Sequence, residues 1–163
     1  MLAACVGAGS AATADPARIK DYCSKIAERA QRCAPEPAKA TPYDTARCER
    51  EATCLAPALR AVVITAYYDC LSGRACGVSD DGCVTTAAQN NPATQTGNDF
   101  GTKCRDKYAA CKAAKDKTFD DDNCFIGALI SDEVATNLTR CMEKSCAESK
   151  TCVELELDRY ECK

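Results

Sequence analysis

Apolar side chains along residues 15–33 recur at Ile19, Tyr22, Cys23, Ile26, Ala27 and Ala30, spaced by threes and fours. That spacing lines one face of an α-helix and predicts a helix here. Asp15 stands before it as an N-cap, and Pro16 falls at the first turn, where a missing N–H costs nothing. The stretch "FGTKCRDKYAACKAAK" repeats the pattern with Phe100, Cys104, Tyr108 and Cys111. Asp44 and the run Asp120–Asp122 mark the starts of second helices, because carboxylates are stabilised by free N–H groups at the positive dipole end. Pro57 can open a further helix that Gly73 closes, and Ser131 caps its counterpart later in the chain. "VELEL" alternates like a strand, but Val153, Leu157 and Tyr160 also share a helix face, and helix is the expectation. "GVSDDGCVTTAAQNNPATQTGND" is rich in turn formers and predicts a long linker loop over 84–99.

The cysteines divide the helical pattern into two copies. Cys23, Cys33, Cys48 (ending "YDTARC"), Cys70, Cys76 and Cys83 align with Cys104, Cys111, Cys124 (ending "FDDDNC"), Cys141, Cys146 and Cys152. An aromatic residue and an aspartate precede the third cysteine at the same spacing in both. Cys54 and Cys162 have no counterpart and could pair with each other, unless Cys54 rather than Cys48 matches Cys124. The expected organisation is an address and tether over 1–14, one disulfide-rich helical unit over 15–83, the linker over 84–99 and a second unit over 100–163. The fold class is all-α, a small disulfide-stapled helical bundle of two tandem similar units.

Composition explains why staples are needed. The 46% hydrophobic content is inflated by 29 alanines and 15 cysteines, while Leu, Ile, Val and Phe number only 8, 5, 7 and 3. Those four make up about 14% of the chain, below the roughly 20% that accompanies disorder in highly charged sequences. Net charge is only −3, so disorder does not follow, and cross-links must oppose chain entropy instead. Such cysteine density points to an oxidising, extracytoplasmic setting. The charges are mixed, no basic stripe occurs and Trp is absent, which gives nucleic-acid binding no support. "AVVITAYY" is far too short to span a bilayer.

The start, "MLAACVGAGSAATADP", reads in two exported ways. Leu2-Ala3-Ala4-Cys5 matches a bacterial lipobox, with Cys5 acylated and residues 6–14 a flexible tether. The rival is the end of a secretory signal cut after Ala14. Both lack the basic region and most of the apolar core expected upstream. A tail of small residues with no address is the third reading. The expected membrane association is through a lipid on Cys5 alone. Without Cys5, fourteen cysteines remain, an even number.

No two cysteines are spaced C-x-x-C, C-x-C or C-C. Zinc sites take ligand pairs from tight turns, often with histidine, and thiol redox sites need C-x-x-C. Only Cys141 and Cys146 reach the outer limit of zinc spacing, and they lie in a helical context. The expectation is therefore structural bridging of Cys23, Cys33, Cys48, Cys54, Cys70, Cys76, Cys83, Cys104, Cys111, Cys124, Cys141, Cys146, Cys152 and Cys162, with no metal and no cofactor. Cysteines five apart on a helix are about 7.5 Å apart along the axis. Disulfides need Cα atoms within about 7 Å. Cys141–Cys146 is thus disfavoured while that helix persists, and Cys104–Cys111 more clearly so, and each cysteine must then reach another helix. Six cysteines still allow 15 connectivities.

The chain contains no histidine, which removes Ser-His-Asp and Cys-His catalysis and histidine metal ligation. Asp120, Asp121, Asp122 and Asn123 form the densest acidic cluster; a helix start explains them better than calcium or carboxylate chemistry, and no EF-hand pattern is present. Asp80-Asp81 before Gly82 reads as a turn, Asn137-Leu138-Thr139 as a glycosylation pattern misplaced in a helix, and Tyr67-Tyr68 as packing.

"LAAC", "YDTARC", "YYDCLSGRAC" and "RCMEKSCAESKTC" together resemble the cysteine-rich predicted lipoproteins and secreted proteins of myxobacteria and related bacteria. The resemblance covers most of residues 15–163 and implies an envelope location and a helical disulfide framework, with no catalytic residues to carry over. The leading functional expectation is a non-enzymatic lipoprotein or secreted module. It would present a rigid surface to a protein or surface polymer, with no nucleic-acid partner. A carrier of small apolar ligands or lipids between stapled helices is the alternative, and a carboxylate-based hydrolase the third.

Overall fold

The computed structural model describes residues 15–36 and 41–162. Cys5, the lipobox and the cut site after Ala14 lie outside them. Among the described residues seven α-helices follow one another: α1 (Pro16–Cys33), α2 (Thr45–Leu55), α3 (Ala61–Gly73), α4 (Gly82–Asn90), α5 (Gln95–Ala113), α6 (Asp132–Cys141) and α7 (Cys146–Asp158). A 3₁₀ helix, Cys124–Ala128, stands between α5 and α6. Among the described residues no strand forms; the one isolated bridge pairs Leu59 with Ile130. The protein is all-α and disulfide-stapled, as the periodicity predicts.

The helix starts follow from capping chemistry. The Asp15 carboxylate accepts from the Ala17 N–H at 3.0 Å, and Asp44 from the Arg47 N–H at 2.8 Å. Ser131 caps α6, and Ser145 with Glu148 closes a reciprocal capping box on α7. Each satisfies donors that a helix end leaves unpaired. α1 buries Ile19, Tyr22 and Cys23, and α6 buries Val134, Ala135, Leu138 and Cys141, the faces their spacing marks.

Three expectations need correction. Residues 84–99 are not a loop: α4 runs to Asn90, α5 starts at Gln95 with Thr94 as its cap, and only 91–94 connect them. Turn-forming composition is overridden because Ala87 is fully buried, Cys83 is bridged, and Gly97 packs where no larger residue fits. Asp120–Asp122 introduce a single 3₁₀ turn rather than an α-helix. Pro57 lies in the turn after α2, and the following helix opens at Ala61 behind Arg60.

Among the described residues seven disulfides join all fourteen cysteines, with Cα separations of 5.1–5.9 Å. Cys23–Cys48, Cys33–Cys76 and Cys70–Cys83 occur in the first half. Cys104–Cys124, Cys111–Cys146 and Cys141–Cys152 occur in the second. In the order of the aligned cysteines, both sets read first to third, second to fifth and fourth to sixth. The remaining bridge, Cys54–Cys162, links the halves and resolves the Cys48 alignment. A chain so bridged belongs to an oxidising environment. Among the described residues no helix is long and apolar enough to cross a membrane.

α1 packs on α2 and α3, and α3 on α4; α5 packs on the 3₁₀ helix, α6 and α7. The halves meet around Leu59. Arg60 N–H donates to Leu129 O at 3.0 Å, and Ser131 N–H to Ala58 O at 2.8 Å. The Arg60 guanidinium donates through Nη1 to the carbonyls of Asn91, Pro92 and Ala128 at 3.1, 2.9 and 2.8 Å. One cation thus holds the α4–α5 connection against the end of the 3₁₀ helix.

The two cores differ in substance. The second buries Phe100, Ile130, Val134, Leu138, Met142 and Val153 among its cysteines. The first gathers Ile19 and Ile64 with two cysteines, Ala52 and Ala56, and the same half also buries Tyr22 and Val63. Small side chains there leave space.

Candidate ligand-binding cleft

That space is a cleft of about 210 Å³ between α2, α3 and α4. α2 contributes Ala52 and Leu55, α3 contributes Val63, Ile64, Tyr67 and Tyr68, and α4 contributes Val84 and Ala87. Leu59 and Leu129, from the junction of the halves, close one side. No charged side chain lines it. Val63, Ile64 and Ala87 are buried at its base, whereas Leu55 and Val84 are 43% and 41% exposed.

The physical origin lies in α3, whose "AVVITAYY" is apolar on all sides. A helix of that kind is stable when surrounded. Here α1 and α4 cover parts of it, and Val62 remains half exposed. The bridges Cys33–Cys76 and Cys70–Cys83 hold the end of α3 and its following turn to α1 and α4, so the helices cannot simply collapse into the space.

Aromatic packing defines the wall. Tyr22 stacks on Tyr68 with centroids 5.2 Å apart and rings 8° from parallel, and Tyr67 meets Tyr68 edge-on at 5.4 Å. Packing is what the sequence predicts for Tyr67-Tyr68, and the pair also faces the cleft. Burial pushes the Tyr68 phenol up to about 12 from its ordinary 10.0, with the neighbouring Tyr67 adding to the effect. Burial raises Tyr67 as well.

A pH dependence follows. The unfolded phenol ionises near 10.0 and the folded one near 12, so between those values the unfolded state holds fewer protons. The stabilisation from the neutral, buried Tyr68 is complete below pH 10 and is lost as pH rises through 12. In a rapid absorbance titration of the six tyrosines, the last phenolate to form is expected to vanish in Tyr68→Phe. Titration of all six together near 10 would contradict it.

The other residues singled out by sequence have local roles. Asp120, Asp121 and Asp122 are exposed, and the Asp120 carboxylate accepts from the Asp122 N–H at 3.3 Å, a turn contact. Asp80 pairs with Arg29 at 3.2 Å, and Asp81 accepts from Ser79 Oγ at 2.6 Å. Asn137 lies within α6 and donates to Glu156 Oε1 at 2.8 Å; Glu156 is buried and also pairs with Arg159 at 2.6 Å. Among the described residues no group of three or more Cys, Asp or Glu is placed to hold a metal ion. The fourteen predicted cysteines are all bridged, and Cys5 lies outside the described residues.

Sequence reasoning did not locate the cleft. Its one signal was the short apolar run of α3, read as insufficient to span a membrane. Comparison with family models, curated proteins and solved structures returns no match.

Proposed function

We propose that this protein is a non-catalytic, exported binding module of the bacterial envelope. It is held at the membrane through acylated Cys5 or released after loss of its leader, and presents a rigid helical surface to a protein or surface polymer. The observation that carries this reading is the placement of the bridges. Three staple each half and the seventh joins the halves, so the surface is ordered before it meets a partner. Rigid surfaces bind with less ordering cost, which is the advantage a stapled module has over a flexible one. Lack of histidine and the local roles of the acidic residues favour binding over chemistry.

Fractionation of producing cells, with intact-mass analysis and adsorption of the purified protein to their envelope polymer, tests the reading. The expected result is an envelope or secreted protein with all cysteines from Cys23 to Cys162 oxidised. Its Cys5 would be acylated or removed, and adsorption would saturate. A cytoplasmic protein with free thiols, or one that does not adsorb, would contradict it.

A further inference from the structure

The two halves share one staple pattern, so equivalent positions can be compared by counting from equivalent cysteines. Three residues before Cys70 stands Tyr67, on the wall of the cleft; three before Cys141 stands Leu138, fully buried at the centre of the second core. One residue after Cys83 stands Val84, 41% exposed; one after Cys152 stands Val153, 3% exposed. Four before Cys23 is Ile19, and four before Cys104 is the larger Phe100, also fully buried. The third cysteine of the first half lies within an 11-residue helix, α2, whereas that of the second opens a five-residue 3₁₀ helix. That short helix closes onto α5 through Gly97 and Gly127. At these equivalent positions the second copy is filled where the first stays open.

We infer that the α2–α3–α4 cleft of the first half is a binding site for a small neutral apolar molecule containing one or two rings or a short branched chain. The size follows from volume: about 210 Å³ exceeds the ~150 Å³ cavity that accommodates benzene and falls below the ~300 Å³ where drug-sized pockets begin. Charge sets the rest, since a wall without charged side chains gives an ion nothing to offset its desolvation. The edges and faces of Tyr67 and Tyr68 suit an aromatic guest. A helix from a partner protein or a full lipid chain exceeds the space. This site goes beyond envelope adsorption and is tested separately from it, so loss of either leaves the other standing.

The test uses the oxidised full chain and the neutral two-ring fluorophore 1-aminonaphthalene, read at the blue edge of its emission, which brightens in an apolar site. Saturable fluorescence enhancement at one probe per chain is expected. Val84→Arg and Leu55→Lys, both at the exposed rim, are each expected to weaken binding at least tenfold while keeping the helical circular dichroism. Leu155→Arg, at a still more exposed apolar position in the second half, is expected to leave binding unchanged. No enhancement in the parent protein would overturn the assignment. So would unchanged affinity in both rim variants, equal loss in Leu155→Arg, or sedimentation showing the cleft closed by a second copy of the chain.

Discussion

Complete reduction is expected to unfold this protein, with loss of its helical circular dichroism at neutral pH and no added denaturant. Each native bridge contributes about 2–4 kcal/mol, not additively, by restricting the unfolded chain. A whole domain is stable by only about 5–15 kcal/mol. The longest loop closed here spans 108 residues and the shortest 11, and longer loops lose more entropy on closure. Against that loss the first half buries, among its described residues, Ile19, Tyr22, Val63 and Ile64 as its only large apolar side chains, the rest being cysteines and alanines. The second half, with Phe100, Leu138 and Met142, is expected to retain residual helix longer.

Reduction should also proceed in order. Cys33–Cys76 and Cys54–Cys162 are the two bridges without a buried sulfur-bearing residue, and each of the other five includes at least one. Brief treatment with a mild reductant followed by alkylation is therefore expected to label Cys33, Cys76, Cys54 and Cys162 first, because exchange requires access of a thiolate. Near-native helical signal after full reduction would defeat the claim that bridges substitute for core.

The second large effect is steric. A methyl group at Gly97 would lie well inside 3.0 Å of the Gly127 carbonyl oxygen, and one at Gly127 would strike the Gly97 carbonyl in return. Backbone stands on both sides, so no rotamer change relieves the clash. Retreat is blocked too, because Cys104–Cys124 ties the same two elements together and fully buried Phe100 fills the space beside them. Gly97→Ala is expected to destabilise the oxidised protein by about 3 kcal/mol or more, the upper range for overpacking. Gly73→Ala is the control: nothing lies within 4 Å of its Cβ position. Alanine is the better helix former there, so a neutral or slightly stabilising change is expected. Thermal unfolding of both variants reads the difference, and equal midpoints would refute the tight crossing of α5 and the 3₁₀ helix.

These two effects show where sequence reading succeeds and where it stops. Asp15, Pro16, Asp44 and Ser131 act through neighbours a few residues away, so their roles were legible from local chemistry. The repeat was legible because cysteine spacing survives in both copies. Exclusion of Cys104–Cys111 needed only helix geometry, since both lie on α5; Cys141 and Cys146 are not paired with each other either, but the continuous helix assumed for them is absent, because α6 ends at Cys141 and α7 opens at Cys146. Choosing among 15 pairings requires helix positions in space, which spacing does not contain. Gly97 looked like a loop former because its close approach to Gly127 is tertiary. The cleft was invisible for a related reason. It is created by what Ala52, Ala87 and the unfilled side of α3 fail to occupy, and no residue pattern announces a missing neighbour.

The most direct measurement is disulfide mapping of the unreduced protein by proteolysis and mass spectrometry. The account predicts Cys23–Cys48, Cys33–Cys76 and Cys70–Cys83, the matching set Cys104–Cys124, Cys111–Cys146 and Cys141–Cys152, and Cys54–Cys162. Different pairing orders in the two halves, or cysteines found free or holding zinc, would contradict it.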